Sequence, residues 1–194
     1  MPLPYIFDLH DYPDGNPLPK LLELKKILQN LKVTLFTIPE KMDKEMDKEI
    51  EQYDWIQMAV HGCFHEDNYE FAKLSKEDAE TLISVGYDSL HYVKGFCAPG
   101  WQISQGTMEA LKELGFWVAV QWGDGRLNGD PNGQYQPAVI EGLPYYAWRE
   151  YPNAIHGHTW ECCGNGLESL WQKLINLPKD SEFLFVDDYV KTKT

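Results

Sequence analysis

His61 and His65 are the residues of this chain best placed to do chemistry. The pair follows a short apolar run, residues 55–60 (Trp-Ile-Gln-Met-Ala-Val), that reads as a buried strand ending at His61. If the chain turns into helix there, the two imidazoles converge on one ion, and imidazole nitrogen suits zinc and other first-row metals. A carboxylate at the end of another strand, Asp11, completes three protein ligands and leaves one position open for water. That is the composition of a catalytic rather than a structural zinc site. Such a site polarises a carbonyl and lowers the pKa of bound water towards ~7.

Five of the six histidines lie at or just beyond strand ends: His10, His61, His65, His156 and His158. His91, near the end of a helix, looks incidental. The His156-Gly157-His158 pattern is a weaker signal, because H-x-H occurs in many unrelated metal sites and also by chance. Trp101, Trp122, Tyr145, Tyr146, Trp148 and Trp160 fall near the same strand ends. Core or rim packing is the ordinary role of any one of them. As a group beside a polar cleft they can stack on a sugar ring. Cys97 reads as an inert small apolar residue, since a nucleophilic thiol needs a neighbouring base.

Alternating strands and helices must carry these residues. Strands are expected at residues 5–9, 33–38, 55–61, 93–97, 117–122, 145–148, 154–156 and 183–186, with a turn-rich loop from His10 to Asn16. Pro19 opens a helix with Leu21, Leu22, Leu24, Ile27, Leu28 and Leu31 on one face. Residues 41–52 alternate acids and bases and read as a short surface helix. Ser75-Lys76-Glu77-Asp78 is a capping box, and Ser104 caps a further helix that Gly115 ends. Leu167, Leu170, Leu174 and Ile175 mark a last helix. Residues 123–137, rich in Gly, Asn, Asp and Pro, read as a long loop. The alternation predicts a parallel sheet with helices packed outside, and sites at the carboxyl ends of the strands.

At 194 residues the chain fits a single domain spanning residues 1–194. Its 30 acidic against 17 basic residues give a formal net charge of −13, which argues against binding to nucleic acid or anionic membrane. No apolar run approaches the ~20 residues a membrane span needs, and no secretion signal is visible. The four cysteines, Cys63, Cys97, Cys162 and Cys163, show no C-x-x-C spacing. A reduced, cytoplasmic chain is the expectation.

In motif order, nearly the whole chain resembles the polysaccharide deacetylases of carbohydrate esterase family 4, in the divergent branch whose first motif reads His-Asp. Leu9-His10-Asp11 is similar to the first motif, and His61 to His65 is similar to the H-x-x-x-H of the second. Residues 96–101 (Phe-Cys-Ala-Pro-Gly-Trp) resemble the third, Trp122 the fourth, and Ile155-His156-Gly157-His158 the fifth. The resemblance implies an α/β fold, a distorted (β/α)7-type barrel, and metal-dependent amide or ester hydrolysis. It implies that Asp11, His61 and His65 hold Zn²⁺ or another divalent ion such as Co²⁺, Ni²⁺ or Mn²⁺. His10 stands where the family has its aspartate base, and Cys97 where it has an arginine. Asp8 and Asp14 are nearby acids; the arginines Arg126 and Arg149 lie elsewhere. The expected base is therefore His10 or else Asp8, and the expected acid His156 or His158. Pro99, Gly100, Trp101, Trp122 and Trp160 are expected to line the substrate site. The expected substrate is an acylated carbohydrate. Two other readings stay open: hydrolysis of a non-sugar amide or C–N bond, and a catalytically weakened carbohydrate-binding protein.

Overall fold

The structure is a computed structural model and describes residues 3–88, 91–125, 137–161 and 164–193. Most of the Gly- and Asn-rich stretch, residues 126–136 with Arg126, lies outside the described residues, as do Cys162 and Cys163. The strands are β1 (Tyr5–Tyr12), β2 (Val33–Thr37), β3 (Ile56–His61), β4 (Gly95–Cys97), β5 (Trp117–Val120), β6 (Tyr145–Ala147), β7 (Ala154–His158) and β8 (Phe183–Leu184). The helices are α1 (Leu18–Ile27), α2 (Lys44–Ile50), α3 (Lys76–Tyr87), α4 (Gln105–Leu114), α5 (Leu167–Ile175) and α6 (Val186–Lys191).

All strand pairs are parallel, in the order β6-β5-β4-β3-β2-β1-β7, with β8 beside the start of β1. The sheet curls into an incomplete (β/α)7-type barrel whose seam lies between β6 and β7. Both faces of the strands are buried, as parallel sheets require. One face packs on the helices through Phe7, Leu9, Val33, Leu35, Met58, Val60, Phe96 and Val118. The other faces the barrel interior through Ile6, Phe36, Ala59, Cys97, Trp117, Ala119 and Tyr146, closed from below by Val186 and Val190 of α6. Side chains alternate along a strand. The interior rows therefore continue upward as Asp8 and His10 on β1, His61 on β3, and His156 and His158 on β7.

The caps form as the sequence predicts. Ser75 accepts from the backbone N–H of Asp78, Ser104 from that of Thr107, and Gly115 closes α4 at φ 75°. Four local expectations need correction. The loop expected from His10 instead begins after Tyr12, because β1 continues along β2 and β7. The chain does not turn into helix after His61; it reverses through Gly62 at φ 66°. A Cβ there would sit 2.7 Å from the Pro99 ring, so glycine is required twice over. β7 runs on through His158. The closing strand has two residues, and Val186 begins α6, whose buried Asp187 accepts from Trp117 Nε1 at 2.9 Å.

Candidate metal centre

The ends of β1 and β3 bring Asp11, His61 and His65 together. Strict alternation would point His10 and Asp11 to opposite faces of β1. The register of β1 against β2 shifts between Leu9 and Tyr12, and Asp11 takes a left-handed φ of 66°. This irregularity re-aims Asp11 beside His10, as bulges near active sites do. Asp11 Oδ1 then lies 3.2 Å from His61 Nε2 and 3.3 Å from His65 Nε2. His65 reaches it from a second left-handed residue, φ 52°. Such conformations cost about 1–2 kcal/mol for a residue with a side chain, and surrounding bonds must hold them.

Those bonds are present. His61 Nδ1 donates to the Cys97 carbonyl at 2.9 Å, which leaves Nε2 as the nitrogen free to ligate an ion. Trp160 Nε1 donates to Asp11 Oδ2 at 2.9 Å, so Oδ1 is the oxygen left for the histidines. The Glu70 carboxylate accepts from the backbone N–H groups of Cys63, Phe64 and His65 at 2.9–3.3 Å, tying down the turn between the two histidines. Nothing in the sequence spacing marks Glu70; its role arises from the nest of N–H groups that the positive-φ turn creates. We expect Glu70→Ala to weaken metal affinity about 10- to 100-fold, measured by competitive chelator titration. Unchanged affinity would show that the turn holds itself.

The donor set fits a divalent ion. A lone pair on His61 Nε2 faces a carboxylate oxygen across 3.2 Å, a pair of acceptors that a cation reconciles. Burial alone would raise the Asp11 carboxyl, but the His61 and His65 imidazoles against it outweigh that and hold it well below the usual carboxylate range. Burial pulls His65 down, but the hydrogen bond and charge of Asp11 outweigh it and raise its pKa above 6.5. For the metal-free protein, stability from the His65 proton is full below pH 6.5 and is lost as pH rises through the raised value. A metal ion competes with that proton. The Tm increase on adding Zn²⁺ should therefore grow between pH 5.5 and 7.5, and His65→Ala should flatten the trend. An increase independent of pH would count against these ligands.

Behind this set, four imidazoles pack on one another. The His10 ring stands 4.6 Å from those of His61 and His156 and 5.8 Å from that of His158. His10 is 2% exposed, its Nδ1 lies 3.9 Å from Cys97 Sγ, and its Nε2 has no partner among the described residues. Burial, with the neighbouring His156, His61 and His158, pushes its pKa well below 6.5. His156 Nδ1 donates to Asp8, 3.1 and 3.3 Å from the two oxygens, and Asp8 is fully buried. Asp14 instead pairs with Lys41 at the surface. His158 is the most open of the four rings, and burial lowers its pKa. Burial pushes the Cys97 thiol well up, which agrees with an inert role.

The aromatic group divides. Trp101 lies 4.9 Å from His10 and 5.3 Å from His156, and Trp148 stacks on His156 at 4.6 Å. The Arg149 guanidinium sits over the Trp148 ring at 4.3 Å, so this arginine does reach the site, one ring removed. Pro99 and Gly100 wedge against Gly62 and Asn68, fixing Trp101. Trp160 is 43% exposed at the rim. Tyr146 is interior core and Tyr145 packs toward the helices. Trp122 stands two residues beyond β5, partly buried. His91 pairs with Asp47 and Glu51, away from the site.

No family model matches the chain, and no curated protein sequence does. Solved structures match over almost its full length. The family 4 acetyl xylan esterase from Clostridium thermocellum, in complex with a cobalt ion, has a TM-score of 0.63 at 13% identity, covering 97% of this chain and 91% of that one. The Bc1960 peptidoglycan N-acetylglucosamine deacetylase has 0.64 at 20% identity, covering 95% and 86%. This is the family 4 polysaccharide deacetylase fold. BA3943, a CE4 family pseudoenzyme from Bacillus anthracis, shares the fold with a TM-score of 0.59 at 13% identity, covering 96% of this chain and 64% of that one. The deacetylase fold thus carries both enzymes and a pseudoenzyme, and the side chains of this chain must argue its activity.

Proposed function

We propose that the chain is a metal-dependent hydrolase that removes an acyl group, acetyl in the first instance, from an N-acyl or O-acyl carbohydrate. The observation that carries this reading is Asp11 Oδ1 held 3.2 and 3.3 Å from two imidazole nitrogens at the mouth of a deacetylase-type barrel. A divalent ion, Zn²⁺ or else Co²⁺, Ni²⁺ or Mn²⁺, supplies there a Lewis acid for the acyl oxygen and a bound water of pKa near ~7. Cys97 O, Trp160 and Glu70 orient the three ligands. Trp101 and Trp160 take the face of a sugar ring. The cobalt-bound esterase and the N-acetylglucosamine deacetylase support the substrate class by analogy of fold.

His158, the most open of the clustered imidazoles, protonates the leaving amine or alkoxide. Burial lowers its pKa, which makes the protonated ring a stronger acid but leaves it protonated in a smaller share of molecules near neutral pH. Asp8 is engaged by His156, and Asp14 by Lys41, so neither carboxylate serves as base. His158→Gln should lower kcat on an N-acetyl sugar by about 10²–10⁴, and far less on an activated aryl acetate whose leaving group needs no proton. Equal losses on both would remove His158 from that role.

Acetate release from N-acetylglucosamine oligomers, acetylated xylo-oligosaccharides and small non-sugar amides, with each metal in turn, tests the assignment. Release from the amides alone would move the protein to non-sugar C–N hydrolysis. The absence of a free carboxylate beside the metal ligands favours a second reading, a carbohydrate-binding protein with little turnover. Sugar binding by calorimetry with no acyl release under any metal would establish that reading instead.

A further inference from the structure

Three groups in the deep part of the site have no part in the reaction proposed above: Asp8, His10 and His156. We propose that they form a second metal site, distinct from Asp11, His61 and His65 and sharing no ligand with them. One ligating atom of each lies within 4.8 Å of the other two. Around a tetrahedral ion with bonds of about 2.1 Å, neighbouring ligand atoms stand about 3.4 Å apart. His156 Nδ1 lies 3.1 and 3.3 Å from the two Asp8 oxygens, almost the spacing of Asp11 to His61 and His65. The distances sit at the long end of the hydrogen-bond range, and an ion bound there takes the place of the proton that His156 Nδ1 donates to Asp8.

The independent observation is His10. Its Nε2 is buried, and no hydrogen-bond partner among the described residues reaches it. His10 is 2% exposed, and a buried polar atom without a partner is destabilising. The neighbouring rings are three more imidazoles with Phe36 and Trp101, and only the imidazoles carry polar atoms besides the Trp101 N–H. A cation coordinated by His10, Asp8 and His156 would satisfy that nitrogen. Two imidazoles and one carboxylate select a first-row ion such as Zn²⁺, Co²⁺ or Ni²⁺ over Mg²⁺ or Ca²⁺. Trp148, stacked on His156 and covered by Arg149, fixes the orientation of the His156 ring.

The test is metal stoichiometry. The whole protein is stripped with chelator, refilled with Co²⁺ or Zn²⁺, desalted, and its metal counted by plasma mass spectrometry. The expected result is two equivalents per chain. His10→Gln and His156→Gln should each lose one and keep the other, and His65→Ala should lose the complementary one. A single equivalent that His65→Ala removes and His10→Gln leaves would overturn the second site while the first stands. A single equivalent lost in His10→Gln but kept in His65→Ala would uphold this site and sink the Asp11 set. Two equivalents untouched by both His10→Gln and His156→Gln would also overturn it, as surface binding. If His10→Gln and His156→Gln do not fold, the count on His65→Ala decides: one retained equivalent supports the site and none overturns it.

Discussion

His65→Ala is expected to lose the ion shared by Asp11, His61 and His65, and with it hydrolysis. Removing an outer partner of a metal ligand already costs 10- to 100-fold. Losing a ligand outright should therefore lower affinity at that site by more than about 100-fold. His61→Ala should do the same, with an added packing cost, because His61 is 2% exposed and meets His10 and His65 edge-on. His65 is the cleaner probe: it lies on the turn that Glu70 ties down, outside the strand. Metal content equal to that of the unaltered protein in both variants would sink the assignment. Loss of metal with full deacetylation would show that the ion is structural. Loss of metal and activity together, in a protein that still melts cooperatively, is the outcome the geometry demands.

Phe96→Ala is expected to lower stability by about 3–5 kcal/mol. Phe96 is the middle residue of β4 and fully buried, with its ring edge-on to Phe71 at 4.8 Å. It anchors the shortest central strand to the helix layer. The neighbouring Cys97 carbonyl orients His61, so the same strand serves both the core and the metal site. For a chain of this size the cost corresponds to a fall in Tm of roughly 6–20 °C. Val85→Ala, at a site 59% exposed, provides the control and should stay within about 0.5 kcal/mol. A Phe96→Ala loss below about 1 kcal/mol would mean that β4 is not packed as described.

What could be read along the chain was what local physics writes there. Short, near-continuous apolar runs marked β2, β3 and β5, because a buried strand must offer apolar side chains to both faces. Ser75, Ser104 and Gly115 marked helix ends, because orphan N–H and C=O groups need a partner within a few residues. The His61-x-x-x-His65 spacing and the motif order pointed to the metal set and to the deacetylase barrel. The end of β1 was misplaced because the Pro, Asp, Gly and Asn after Tyr12 imitate a loop beginning earlier. α6 was missed because Val186 continues an apolar run whose strand character ends at Leu184.

The sequence by itself determined the alternating α/β fold, its caps, and the pair of histidines at a strand end, all of which depend on residues a few positions apart. Only the tertiary structure decided how the site is wired. Asp11 faces His61 because a shift of register in β1 turns it inward. Asp8 meets His156 across 148 positions, because β1 and β7 lie side by side. Glu70 holds the metal turn through backbone N–H groups that any residues could have offered. The four imidazoles cluster because interior rows of separate strands converge at one end of a curled sheet. Each of these contacts depends on strand order and register, which side-chain spacing along one strand does not encode.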